Sequence, residues 1–211
     1  MNKWIDLTIL LDKNYLQYPG DVPFKVEEER VFSKDNFNMK RITTNMHIGT
    51  HIDAPKHVLD LGEGIESIDI NQVIGKAIVL EPRITNGVIN TLDIINQYDT
   101  DYKIVIIKTN HTEYLNTDKY YDYPAFNRDV LNFLIKNNID VIAFDMPSPK
   151  YVDEELLEMH KDLLSRNILI VENLTNLSKL DKCVDFIALP LKIQGFDGSL
   201  IRCVAKNIEF D

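Results

Sequence analysis

The stretch DEELLEMHKDLLSRNILIVENL, residues 153–174, holds two periodicities in one short span. Leu156, Leu157, Met159, Leu163 and Leu164 recur at roughly helical spacing, and Asp153, Glu154 and Glu155 supply the acid that a helix N-terminus favours. This predicts a helix over 153–165. Ile168-Leu169-Ile170-Val171 follows as an unbroken apolar run rich in β-branched residues, which predicts a strand over 168–171. A helix feeding an apolar strand is the unit from which α/β folds are built.

Working outward, the same alternation reaches back to Lys76. Strands are predicted at 77–80, 104–108, 141–144 and 186–189, and helices at 91–97 and 126–136. The N-terminal third is richer in strand signals, at 4–11, 24–32 and 38–47, with a Tyr18-Pro19-Gly20-Asp21 turn between the first two. Gly49, Pro55, Gly62 and Gly64 then break regular structure, so 47–64 reads as a strand end running into a turn-rich loop. With no linker, repeat or low-complexity segment, the expectation is one α/β domain over 1–211.

Composition excludes several classes of function. The chain carries 33 acidic against 23 basic residues, a formal charge of -10, so its averaged field repels phosphate backbones and anionic lipid, and no nucleic-acid partner is expected. Its apolar runs are far shorter than the about 20 residues needed to span a bilayer as a helix, and no membrane association is expected. Cys183 and Cys203 have apolar neighbours and no C-x-x-C spacing, which suits core residues in a reducing compartment. The start, Met1-Asn2-Lys3-Trp4-Ile5-Asp6, lacks the apolar core of an export signal, and a cytoplasmic location is the expectation.

The chemistry concentrates in His47-Ile48-Gly49-Thr50-His51-Ile52-Asp53-Ala54-Pro55-Lys56-His57, which holds three of the five histidines and one carboxylate. Imidazole nitrogen and carboxylate oxygen suit zinc, manganese or iron, and a catalytic zinc site commonly has three protein ligands and an open position. Residues four apart on a straight strand lie roughly 13 Å apart, too far to share an ion. His47 and His51 can converge only if the backbone bends, and Gly49 midway between them permits the kink. A helical H-x-x-x-H is the simpler geometry, but Ile48, Gly49 and Thr50 are poor helix formers, which favours the bent strand. Pro55 helps to fix the chain between Asp53 and His57.

The run His-x-Gly-Thr-His-x-Asp-Ala-Pro-x-His resembles the signature of the cyclase-like metal hydrolases that include bacterial kynurenine formamidase and isatin hydrolase. The resemblance extends to the Tyr18-Pro19-Gly20-Asp21 turn, to 158–174, and to Leu189-Pro190-Leu191-Lys192-Ile193 with Asp197-Gly198-Ser199. It implies a single α/β domain with a mixed, barrel-like sheet flanked by helices, of the swivelling β/β/α type. It implies that His47, His51 and Asp53 bind one metal, and that His160 and Glu172 complete a second site with Asp53 bridging. His160 lies on the strongest helix, and Glu172 ends an apolar strand where a charge needs a reason to be. His57 matches the family's general acid/base, beside the metals but not bound to them; its alternative is the third ligand of a mononuclear site. The implied cofactor is zinc, as one or two ions, with manganese second. The implied partners are a small-molecule substrate and other copies of the chain, as a homodimer or homotetramer.

The activity this implies is hydrolysis of an amide-type C–N bond, linear as in an aryl formamide such as N-formylkynurenine, or cyclic as in a lactam or imide. A lactone or ester hydrolase of the same family is the alternative, since discrimination lies in pocket contacts. A metal-binding sensor without turnover is the alternative of another class. A Ser-His-Asp esterase is disfavoured, because no G-x-S-x-G elbow is present. Three departures from the family pattern bear on the substrate: Lys150 where an acidic residue is expected, His111 near an expected Gly-Trp, and Phe196 where a second glycine is common. The aromatic loop 114–126, with Tyr120, Tyr121 and Tyr123, reads as an interface or lid.

Overall fold

Ile104, Val105, Ile106 and Ile107 are all buried, so the strand they form has no wet face and must be covered on both sides. The computed structural model describes residues 3–12, 15, 17–99 and 101–208; Met1 and Asn2, read above with the N-terminus, lie outside them. In chain order the strands are β1 (Ile5–Asp6), β2 (Lys25–Arg30), β3 (Met39–Thr43), β4 (His51–Asp53), β5 (Ile74–Leu80), β6 (Ile84–Thr85) and β7 (Val88–Ile89). They continue as β8 (Ile104–Ile107), β9 (Ala125–Phe126), β10 (Val141–Phe144), β11 (Leu169–Glu172), β12 (Cys183–Ile187), β13 (Gly198–Leu200) and β14 (Val204–Asn207). The helices are α1 (Phe32–Asp35), α2 (Thr91–Gln97), α3 (Asp129–Lys136) and α4 (Glu158–Leu164).

The main sheet runs β1-β14-β12-β5-β8-β10-β11-β4-β13. Its centre, β5-β8-β10-β11, is parallel, and both flanks are antiparallel, which makes the sheet mixed. Thr8, just past β1, bridges Leu174, just past β11, and Thr175 N–H donates to the Leu7 carbonyl at 2.9 Å. One edge of the sheet is thereby tied back to its middle, which curls it into a half-barrel.

Period-2 alternation divides the core between the two faces. Ile78, Leu80, Val105, Ile107, Ile142, Phe144 and Ile170 pack against α3 and α4 through Leu134, Met159 and Leu163. Ala77, Val79, Ile104, Ile106, Ala143 and Val171 fill the concave side with Ile52, Leu177 and Phe186. The helical face is the one that carries the site.

Several predicted boundaries move, each for a local reason. The helix predicted over 153–165 starts only at Glu158: Asp153 takes a left-handed φ of 58°, and Arg128 clamps Glu154 through bonds of 2.7 and 2.6 Å. The helix predicted over 126–136 starts at Asp129, because Phe126 pairs in β9 and bridges Tyr151. The strand predicted over 4–11 narrows to β1, since Thr8 N–H turns to the Asp6 carboxylate at 3.1 Å. The strands predicted at 24–32 and 38–47 become β2 and β3, an exposed hairpin outside the main sheet. β6, β7, β9, β13 and β14 are additional to the predicted set, and the strand predicted at 186–189 is β12, which starts earlier, at Cys183. Cys183 and Cys203 are buried free thiols, and among the described residues no helix is long and apolar enough to cross a membrane.

Candidate metal centre

The pairing of β4 with β11 sets His51 opposite Glu172 and Asp53 opposite Ile170. Opposed residues of an antiparallel pair share a face, and residues two apart on one strand do too. His51, Asp53 and Glu172 therefore project together, onto the face that α4 covers. His160 reaches the same point from α4: its Nε2 lies 3.2 Å from Glu172 Oε1 and 3.7 Å from Asp53 Oδ2.

His47 arrives through the bend anticipated at Gly49. Gly49 has φ +55°, a left-handed conformation that costs a residue with a Cβ about 1–2 kcal/mol. The His47 and His51 rings then stand 5.2 Å apart, and His47 Nδ1 lies 2.9 Å from Asp53 Oδ1. Gly198 makes room on the other side, where an added Cβ would sit 2.9 Å from His47 Cε1. Asp53 is thus shared between two groupings, with His47 and His57 on one side and with His51 and Glu172 on the other; in each, the ligand atoms lie within 4.8 Å of one another.

The hydrogen bonds test whether these residues suit a cation. His51 Nδ1 lies 2.9 Å from the Gly49 carbonyl oxygen, which can only accept, so Nδ1 carries the proton. The opposite nitrogen, Nε2, then directs its lone pair between Asp53 Oδ1 at 3.4 Å and Glu172 Oε2 at 3.3 Å. His51 Nε2 and Asp53 Oδ2 are buried without a hydrogen-bond partner. Desolvating each carboxylate costs several kcal/mol, and neutral imidazoles do not offset it. Only a cation at that point does, either a proton or a metal ion. Burial disfavours the charged form of His51, yet the Asp53 and Glu172 carboxylates beside Nε2 hold its pKa well above the ordinary value. Burial likewise opposes ionisation of Asp53, and the hydrogen bond with His47 and the neighbouring His51 ring overcome it, so Asp53 stays a carboxylate. Imidazoles, carboxylates and a ring N–H fixed by a backbone carbonyl form the donor set that zinc or manganese accepts.

His57 is placed by the 3-10 turn Pro55–His57, and its ring stacks on His47 at 3.9 Å between centroids. Burial lowers its pKa, so it is neutral near pH 7 and free to take a proton. Its Nδ1 lies 3.8 Å from Asp197 Oδ2, the same oxygen that meets His47 Nε2 at 3.0 Å.

A cavity opens over these groups, walled by Tyr15, Tyr18, Tyr120, Tyr121, Leu156 and Leu157. All six sequence candidates, His47, His51, Asp53, His57, His160 and Glu172, line it. The aromatic loop contributes Tyr120 and Tyr121 to this wall within one chain, with the Tyr121 hydroxyl donating to the Gln17 carbonyl. His111 is not on the surface: it is buried, and its Nε2 meets the Tyr120 carbonyl at 2.8 Å, beneath the wall. Lys150 and Phe196 do not line the cavity; the Lys150 ammonium lies 4.3 Å from the centre of the Tyr123 ring, beside a different cleft. Asp197 and Asn173 join the site although the sequence reading gave them no role. Their only signal was position, Asp197 within Asp197-Gly198-Ser199 and Asn173 next to Glu172.

The chain is similar to known proteins along nearly its whole length. Kynurenine formamidase from Bacillus mycoides is 29% identical over 98% of this chain and 99% of its own length. The Bacillus anthracis kynurenine formamidase is 28% identical, again over 98% of this chain and 99% of its own. Among solved structures, isatin hydrolase A from Labrenzia aggregata, bound to benzyl benzoate, superposes with a TM-score of 0.83 at 21% identity, over 98% of this chain and 94% of that one. A structure described as a "Potential Metal-Dependent Hydrolase With Cyclase Activity" gives a TM-score of 0.83 at 22% identity over the full length of both. The likeness to the solved structures shows a shared fold. The Cyclase family model, described as "Putative cyclase", matches residues 5–151, and the chain belongs to that family.

Proposed function

We propose that this chain is a metal-dependent hydrolase that cleaves an amide-type C–N bond, in a linear aryl formamide or a cyclic aryl amide. The observation that carries the reading is His51 Nε2, whose lone pair faces two buried carboxylates with its other nitrogen already committed. Further support comes from relatives named for the formamide of kynurenine and from fold neighbours named for isatin, both aryl amides in the broad sense.

His47, His51 and Asp53, with His160 and Glu172, are the residues that would hold the ion or ions, zinc first and manganese second. A divalent ion held there supplies Lewis-acid polarisation of the carbonyl and acidifies solvent near pH 7. The protein's own groups do the rest. Neutral His57 takes a proton from the attacking water and returns it to the leaving nitrogen. Asp197, beside both His47 and His57, keeps the two rings in register. The tyrosine and leucine wall holds an aryl ring and keeps bulk water off the carbonyl.

The test is turnover of a panel of aryl formamides, lactams and lactones by purified protein supplied with zinc or manganese. Cleavage of formamides or lactams, abolished by chelation and restored by metal, is the expected result. Lactone cleavage alone would move the activity to esters, and tight metal binding without turnover would favour a sensor.

A further inference from the structure

Asn173 follows Glu172 with a left-handed φ of 60° and is 4% exposed. It is tethered at three atoms. Its N–H donates to the Met146 carbonyl at 3.0 Å, its carbonyl accepts from Thr50 Oγ1 at 2.6 Å, and its Oδ1 accepts from the Tyr120 hydroxyl at 2.7 Å. That leaves the side-chain Nδ2, which carries two N–H donors. Among the described residues nothing accepts from it, and Asn173 lines the cavity together with His51, His57 and Glu172.

The Asn173 amide is one of few neutral donors around the cavity, the Tyr15 hydroxyl, which accepts from Gly49 N–H, and Ser148 Oγ being others. Asp53 and Glu172 are acceptors. Tyr120 and Tyr121 have given their hydroxyl protons to Asn173 Oδ1 and to the Gln17 carbonyl. A fixed, neutral donor in a water-poor site is what stabilises charge developing on a carbonyl oxygen, because it needs no reorganisation at the moment of reaction.

We infer that Asn173 is a catalytic residue of this site, its Nδ2 donating to the carbonyl oxygen of the amide under attack, and that Tyr120 is the positioning residue that aims it. The inference rests on the hydrolase reading above. As the water oxygen bonds to the carbonyl carbon, the π pair of the C=O moves onto the oxygen that Nδ2–H meets. The pair returns when the C–N bond breaks, the nitrogen leaving with the proton delivered by His57, so that amide and water give a carboxylic acid and an amine. Nδ2–H bonds the substrate carbonyl weakly and the developing oxyanion strongly, so its loss falls on kcat more than on KM.

The experiment compares wild type with Asn173→Gly, which tolerates the left-handed backbone, and with Tyr120→Phe, which frees the asparagine. Each is read per bound metal ion by elemental analysis, in turnover and in calorimetric affinity for 2-aminobenzoate, a planar aryl carboxylate. Asn173→Gly is expected to lose about 10²–10³-fold in kcat with KM changed only a few-fold. Tyr120→Phe is expected to lose less, again in kcat. Affinity for 2-aminobenzoate is expected to fall about tenfold in Asn173→Gly, as befits one lost hydrogen bond. Wild-type kcat and wild-type 2-aminobenzoate affinity in Asn173→Gly would overturn the assignment. If wild type cleaves nothing in the panel, the hydrolase reading fails by itself, and the 2-aminobenzoate comparison still decides whether Nδ2 is a ligand donor.

Discussion

His51 turns its Nδ1 onto the carbonyl oxygen of Gly49, 2.9 Å away, and this bond decides what the far side of the ring can do. With the proton fixed on Nδ1, Nε2 becomes a ligand atom aimed between Asp53 and Glu172. The same glycine bends the chain so that His47 comes alongside. One residue thus sets the tautomer of one imidazole and the position of another.

Replacing that glycine should therefore loosen the centre. In Gly49→Ala the new Cβ would meet Leu11 Cδ2 at 2.7 Å and the backbone would keep a left-handed φ, a cost of about 1–2 kcal/mol before any relaxation. The expected outcome is a lower urea midpoint and a zinc affinity about 10–100-fold weaker, the range for a lost outer partner of a metal-bound histidine. Competition with a chromogenic chelator measures it, and an unchanged affinity would contradict the role given to Gly49.

Metal removal should cost stability as well as activity, because Asp53 and Glu172 are 0% and 4% exposed and, among the described residues, only the imidazoles of His47, His51 and His160 stand against them as basic partners. Zinc at about 100 times its Kd is expected to add about 2.7 kcal/mol to unfolding. Thermal melts with and without chelator read this directly; coincident melts would argue against an ion at this point.

His57 separates chemistry from binding. Its ring stacks on His47, yet its lowered pKa marks a neutral base. His57→Ala is expected to keep its metal and to lose about 10²–10⁴-fold in kcat, the usual contribution of a positioned acid/base. Loss of one equivalent of metal in elemental analysis would instead make His57 a ligand.

Asp93, far from the site, gives a pH test with a defined sign. Its carboxylate accepts from Arg83 N, Nε and Nη2 at 2.9, 2.8 and 2.9 Å, and the Arg83 side chain holds its pKa at about 2, below the ordinary 3.8. The folded state therefore binds fewer protons than the unfolded state between those values, so stability from this pair is present above the unfolded pKa and lost as pH falls toward the folded one. Asp93→Asn should lower the urea midpoint at about pH 6, modestly because the pair is exposed, and the gap should close on acidification from about pH 4 to pH 2. A gap that widens with acid would contradict the pairing.

Much of the site was legible in sequence because its ligands lie close together. His47, His51, Asp53 and His57 span eleven residues, and Gly49 announced the bend between them. His160 and Glu172 were reached through family resemblance, with some support from helical and strand periodicity. What escaped were groups brought in by tertiary contacts alone: Asp197 beside His47, and Tyr120 on Asn173. The fold was legible where strands are buried on both faces, as in β8 and β10. It was less so where a side chain captured the backbone, as Arg128 does in holding Glu154 out of the helix that its sequence favours.

The central claim, that buried carboxylates and imidazoles around Asp53 hold a divalent ion, is tested most directly by titrating metal-free protein with zinc beside His51→Ala and Glu172→Gln. The account predicts stoichiometric binding by wild type, at one or two equivalents, with affinity in both variants reduced by at least about 100-fold, one ligand's worth. No zinc bound by folded wild-type protein, or equal affinity in all three, would contradict it.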